Sequence, residues 1–500
     1  MNIKQAKQEI QNTLLAYLSK DELGNYRIPA VRQRPVLLMG PPGIGKTQIM
    51  SQIAAETGVG LVAYTITHHT RQSAIGLPFI QQRTYGGETF SVTEYTMSEI
   101  LASVYDLMEN TGIKEGILFL DEINCVSETL APMMLQFLQC KTFGNQALPE
   151  GWLIVAAGNP PEYNKSVRDF DVVTLDRVKR MDVSEDFAVW KEYARAKGLH
   201  GAVISYLDIK KDHFYRIETT VDGLQFATAR GWEDLSEIIL AYEQLGLKVD
   251  REVVGQYIQL PRIAKDFANY LELYYKYRRV YHVEDILKGT WQAITASELR
   301  AAPFDEKLSV MGLVLSRLSE EARSVRRQDA FVTTLHGTLK TFKAALEHTA
   351  PREVLEQLII GRQAAMKMAK EAGQLDRDTR DLKSREILAL QQYRTRLVEQ
   401  DVADGAAFET VKGWFGEQVA LRKALAQQTS AMFDNAFAFL ETTFAQGQEL
   451  VMFVTEITAG ADMSWFVENF GCEAYFRHNK ELLFDQTQQR IRDSILEAKE

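Results

Sequence analysis

The stretch PVLLMGPPGIGKT, residues 35–47, joins a short apolar run to a glycine loop. The run Pro35–Met39 is ambiguous alone, but the glycines after it make it a buried strand. The loop itself, Gly40-Pro41-Pro42-Gly43-Ile44-Gly45-Lys46-Thr47, fills the phosphate-loop pattern GxxxxGK[ST]. The glycines let the backbone curl with successive N–H groups pointing inward, and a side chain at Gly43 or Gly45 is expected to obstruct that wrap. The helix that follows adds its N-terminal amides and dipole to the anion site. Lys46 is expected to reach the β- and γ-phosphates, and Thr47 to offer its hydroxyl to Mg²⁺.

Outward from this loop, strands and helices alternate. Ile49, Ile53 and Ala54 share one helical face, and Gly58 and Gly60 end that helix. LVAYTIT (61–67) reads as a strand. Residues 68–97, with Pro78 and YGGE at 85–88, read as a hairpin or inserted loop. A helix is expected over about 97–109, a buried strand at ILFLDE (117–122), and a helix over 129–139. Thr129 is expected to cap that helix, with Pro132 in its first turn. WLIVAAGN (152–159) reads as a third buried strand and KRMDV (179–183) as another. The expected fold class is therefore α/β, with a mainly parallel sheet over residues 1–185, N-terminal helix included. A helical domain is expected over 186–290, and a mostly helical region over 291–500. Within the last, 376–400 reads either as a solvated helix or as an extended arm, half of a helical hairpin near 360–400.

The acids and the amide at the other strand tips complete the chemistry. Ligands of open α/β sheets bind at the carboxyl ends of the strands. Asp121 is expected to hold Mg²⁺ with Thr47, and Glu122 to polarise the attacking water. Adjacent residues of a strand point to opposite faces, which suits two separate roles. Asn159 ends a neighbouring strand, where its amide would reach the γ-phosphate and the water. Taken alone, it reads better as a turn residue before Pro160 and Pro161; the other motifs tip it to the functional role.

Composition narrows the function classes. Over 500 residues, 46% are hydrophobic and 25% charged, the range of folded globular chains, and two to four domains are expected. The net charge of -10, with no stripe rich in Lys, Arg and aromatics, argues against a nucleic-acid binder. Cys125, Cys140 and Cys472 form no CxxC pair or zinc spacing, which suggests a reducing compartment. No window approaches the ~20 apolar residues of a spanning helix, and the N-terminus lacks a signal-peptide core. A cytoplasmic protein without a membrane segment is the expectation. His68 and His69 have no partner at a ligand spacing and read as loop or surface residues.

Together these motifs resemble the AAA+ ATPases, and more closely their MoxR branch. GPPGIGKT, FLDEIN (119–124) and AAGNP (156–160) stand in that family's order. LDRV (175–178) is similar to its LDRF segment, and ATARGWEDLS (227–236) to the start of its second-sensor helix. The resemblance covers about residues 30–290, and the last 200 residues match nothing assignable. It implies a homo-oligomeric ring, a hexamer, with ATP between subunits. It also implies that Arg177 reaches a neighbour's γ-phosphate. Val178 replaces the usual Phe, and Arg180 close by leaves open which arginine acts. Arg230 would contact phosphates from the helical lid, and the 70–79 stretch would face a pore or substrate. The implied role is chaperone-like remodelling or activation of a separate client with a von Willebrand factor A domain. Two other readings stay open: a nucleic-acid motor or loader of the same class, and a nucleotide-gated scaffold with negligible turnover.

Overall fold

The computed structural model describes residues 1–68, 76–143, 146–163, 170–220, 223–445 and 447–480. His69 and residues 70–75 of the stretch expected to face a pore lie outside the described residues. Two compact units result. The first comprises Met1–Asp186 and Ile359–Ile387; the second comprises Phe187–Leu358 and the described residues from Leu388 onward.

In the first unit five strands form one parallel sheet: β1 (Val36–Met39), β2 (Gly60–Thr65), β3 (Gly116–Asp121), β4 (Trp152–Gly158) and β5 (Lys179–Asp182). Their order is β2-β3-β4-β1-β5. The inner strands are apolar without alternation because both faces are covered. Leu37, Leu118, Leu120, Ile154 and Ala156 enter one core. Val36, Leu38, Ile117, Phe119, Leu153 and Val155 enter the other. Helices α1 (Ile3–Leu18) and α2 (Lys46–Thr57) supply buried residues to the second core. Helices α3 (Glu99–Thr111) and α4 (Ala131–Cys140) supply them to the first. The amphipathic N-terminus is thus part of this unit. Ala6, Ile10 and Leu14 bury one stripe, worth about 1.5–3 kcal/mol for each large side chain, and Asn2 with Gln5 closes a capping box.

One local expectation needs correction. Thr129 does not cap α4: Leu130 is the cap residue and no side chain bonds there. Pro132 does fall in the first turn, where a missing N–H is harmless. Between β2 and α3, the irregular stretch contains an exposed two-stranded ribbon, Pro78–Tyr85 against Glu88–Tyr95. Its turn is Gly86-Gly87, both at positive φ, as a two-residue hairpin connection requires.

Edge strand β2 is covered by part of a helical hairpin. Helices Pro351–Glu371 and Arg377–Glu399 are joined by a short turn. Within residues 359–387, Arg362 pairs with the buried Glu386 at 3.1 Å. The turn seats on β2: Leu61 N donates to Ala372 O at 3.2 Å, and Gln374 Nε2 to Val59 O at 3.0 Å. Unpaired edge groups invite aggregation, and this seat removes some of them.

A buried lysine gives this unit a measurable pH dependence. Lys141 follows α4 in a left-handed conformation, is 9% exposed, and donates to Gln33 Oε1 at 3.3 Å. Burial pushes its ammonium down to about 8. Below that pH the charge is present folded and unfolded, so its desolvation cost acts in full. Between about pH 8 and 10.5 the folded form sheds the proton first and the cost fades. Lys141→Met is therefore expected to raise stability by about 1–2 kcal/mol at pH 7, after loss of the Gln33 bond. The gain should shrink to nothing by pH 10 in denaturant titrations.

The second unit is mostly helical. Phe304–Ala345 and Asp404–Phe444 run antiparallel, with Phe342 beside Phe408 and Arg422 paired with Asp329 at 2.5 Å. A single core contains residues from Trp190 to Tyr475. Lys191 ties Asp208 (2.5 Å) to Glu456 (2.9 Å). Among the described residues no single helix is long and apolar enough to cross a membrane. The bent pair Gln448–Ala459 and Ala461–Phe470 passes that test jointly, but Phe453, Ile457 and Phe466 lie inside this core.

Candidate active site

All five strands of the sheet end on one side, and β1 lies between β4 and β5. Gly40 follows β1 directly, and the loop it opens leads into α2. Two glycines are required for different reasons. A Cβ at Gly40 would sit 2.5 Å from Val183 O. Gly45 meets nothing closer than 3.7 Å, but its φ of +93° caps α2 in the left-handed region. Among the protein's own atoms there is room for a side chain at Gly45, and the backbone angle selects glycine there. Gly43 also has positive φ.

Lys46 opens α2 and is buried. Its ammonium donates to Gly40 O (2.7 Å), Pro41 O (2.8 Å) and Asn159 Oδ1 (2.9 Å). Thr47 Oγ1 donates to Asp121 Oδ2 at 2.9 Å. Asp121 Oδ1 in turn accepts from the Glu122 N–H at 2.9 Å. Lys46, Thr47, Asp121 and Asn159 thus meet at the tips of β1, β3 and β4.

Glu122 departs from the expected arrangement. The strand ends at Asp121, and Glu122 lies beyond it at φ 57°. Its separation from Asp121 comes from this left-handed turn and not from the strand pleat. A non-glycine residue in that region costs of order 1 kcal/mol or more. In return the chain doubles back, and Ile123 N donates to Ala157 O of β4 at 2.9 Å. The carboxylate is oriented by Thr67, whose Oγ1 donates to Glu122 Oε2 at 2.8 Å. Thr67 follows β2, the neighbour of β3.

The pieces fit Mg²⁺ and a triphosphate. A hydroxyl bonded to a carboxylate oxygen is an oxygen donor pair suited to a hard divalent ion. A lysine resting on backbone carbonyls and an amide belongs to a loop whose Gly43 and Gly45 have positive φ, as anion-binding loops do. Residues 35–178 match the family model described as AAA domain (dynein-related subfamily). The segment is an AAA domain. No curated protein matches the chain.

Outside this convergence lie Arg177 and Arg180, the two arginines that the sequence resemblance offers to a neighbouring subunit. Arg177 is exposed, two residues ahead of β5, and its Nη1 donates to Gln139 Oε1. Lys179 pairs with Val36, the first residue of β1. Arg177 therefore lies at the amino end of the sheet, on the order of 15 Å from its own phosphate loop. Val178 is buried in the core. Arg180 donates through Nε to Asp182 Oδ1 at 2.9 Å on the same strand. Arg230 belongs to the second unit, exposed in the first turn of helix Ala229–Leu245.

Thr67 and Asn124 were not assigned roles from sequence. Thr67 is a polar residue just past a strand's carboxyl end, which is a readable signal. Asn124 stands in FLDEIN and donates to the Asn159 carbonyl at 2.8 Å. Among the described residues no group of three or more His, Cys, Asp or Glu could hold a metal ion by itself.

Proposed function

We propose that this protein is a Mg²⁺-dependent ATPase of the MoxR kind, working in the cytoplasm as a hexameric ring that remodels or activates a client protein. An AAA domain supports ATP-driven activity in general. The observation that carries the finer reading is the meeting of Lys46, Thr47, Asp121 and Asn159 at three strand tips, with Glu122 held by Thr67 beside them.

The roles follow from the chemistry of each group. Gly40, Pro41, Pro42, Gly43, Ile44 and Gly45 form the loop around the phosphates; Gly43, Ile44 and Gly45 supply backbone N–H donors, and the prolines, which have none, shape its turn. Lys46 exchanges its loop carbonyls for phosphate oxygens. Thr47 and Asp121 hold Mg²⁺, which when bound neutralises charge on the phosphate oxygens. Glu122 orients the attacking water and accepts its proton, with Asn159 beside it. Arg177 acts in a neighbour's site, with Arg180 the second candidate, and Arg230 senses nucleotide. Residues 1–185 form the ATPase core, 186–290 a lid, and 291–500 the region that meets the client. That client is proposed to be a separate protein with a von Willebrand factor A domain.

The test is phosphate release by the purified chain. Release is expected with ATP and Mg²⁺, lost on chelation and unchanged by single-stranded or duplex DNA. A folded chain that neither binds nor cleaves ATP would remove the proposal. Stimulation by DNA would replace the protein client with nucleic acid.

A further inference from the structure

We infer that Asn124 is a positioning residue that fixes Asn159 for hydrolysis; this rests on the site reading above. At the end of β4 the ladder partners run out one by one. Ala157 O accepts from Ile123 N, and Gly158 O from Gly40 N. Asn159 comes next, followed by Pro160 and Pro161, which have no N–H to organise a turn. Its carbonyl is held instead by the Asn124 side chain, Nδ2 to O at 2.8 Å. A carbonyl only accepts, so the amide nitrogen of Asn124 must face it. That bond sets the backbone from which the Asn159 side chain reaches Lys46 at 2.9 Å.

Two further observations mark the contact as specific. Asn124 is 2% exposed, and its Oδ1 is buried with no hydrogen-bond partner. That oxygen lies over Gly158, where a Cβ would come within 2.6 Å of it. A buried unpaired carbonyl costs stability. A leucine of similar shape removes that cost but cannot hold Asn159. Stability and turnover should therefore separate at this position, which a merely structural asparagine would not allow.

The experiment compares Asn124→Leu, Gly158→Ala, Asn159→Ala and the double variant Asn124→Leu/Asn159→Ala, in the full chain. Asn159→Ala is expected to lower kcat about 10²-fold, as loss of an oriented polar group does. Asn124→Leu and Gly158→Ala should each lower kcat about tenfold. ATP affinity should stay within about twofold and the melting temperature of Asn124→Leu should not fall. The double variant should be no slower than Asn159→Ala, because residues acting through one another do not add. Should Asn124→Leu fail to fold, Asn124→Ala, which also lacks the amide donor, is read in its place. Multiplying losses in the double variant, or wild-type kcat for Asn124→Leu beside a slow Asn159→Ala, overturn this inference alone. A wild-type kcat for Asn159→Ala removes the site reading and this inference with it.

Discussion

Glu122→Gln is expected to lower phosphate release about 10³-fold while leaving ATP affinity nearly unchanged. The substitution keeps the shape of the side chain. A glutamine carbonyl can still accept from Thr67 Oγ1, the 2.8 Å bond that aims this group, so the left-handed turn and the Ile123 pairing with β4 should persist. Only the capacity to take a proton is lost. Asp121, the proposed Mg²⁺ ligand, stays bonded to Thr47. Single-turnover phosphate release and equilibrium binding of a fluorescent ATP analogue separate the two effects. Loss of both in parallel would mean a collapsed loop, and a rate within a few-fold of wild type would take Glu122 out of the reaction. The nucleotide-loaded variant is also the natural bait for the proposed client.

The parts of this site that sequence made legible are those whose chemistry is local. A phosphate loop needs particular φ angles, and Gly45 at +93° shows why glycine stands there. Strands buried on both faces must be apolar throughout, so β3 and β4 were recognisable without partners. What escaped depended on which strands are neighbours. Thr67 and Glu122 meet only because β2 lies beside β3. Asn124 and Asn159 meet only because the chain after β3 returns to β4. The left-handed Glu122 was also invisible, since glutamate carries no propensity for that region. The helix over 376–400 was ambiguous for another reason. Its charge density masks a stripe in which Ile387, Leu390, Tyr393 and Leu397 are buried while Leu388 is 54% exposed. A solvated helix and a hairpin leg differ only in that spacing.

Arg177→Ala carries the other large effect and tests the ring. Arg177 stands ahead of β5 at the amino end of a parallel sheet whose phosphate loop is at the carboxyl end. No rotamer spans the roughly 15 Å between them. If Arg177 serves a γ-phosphate, that phosphate belongs to another copy, and the interface must be heterologous, as in a closed ring. Its removal should then cost about 10³-fold in turnover, the scale of an arginine finger, with ATP binding retained. Arg180→Ala should cost little, because Arg180 is engaged by Asp182 on its own strand. Mixing separates a trans role from a structural one. Lys46→Ala subunits cannot hold ATP productively but still present Arg177, and Arg177→Ala subunits bind ATP but lack the arginine. In randomly mixed rings about a quarter of the sites combine an intact Lys46 with an intact neighbour's Arg177, so about a quarter of wild-type phosphate release should return. An arginine acting within its own subunit, or one that only supports the fold through Gln139, would restore no activity in any mixture of the two variants. Mixed rings as inactive as either parent would therefore reject the trans assignment outright.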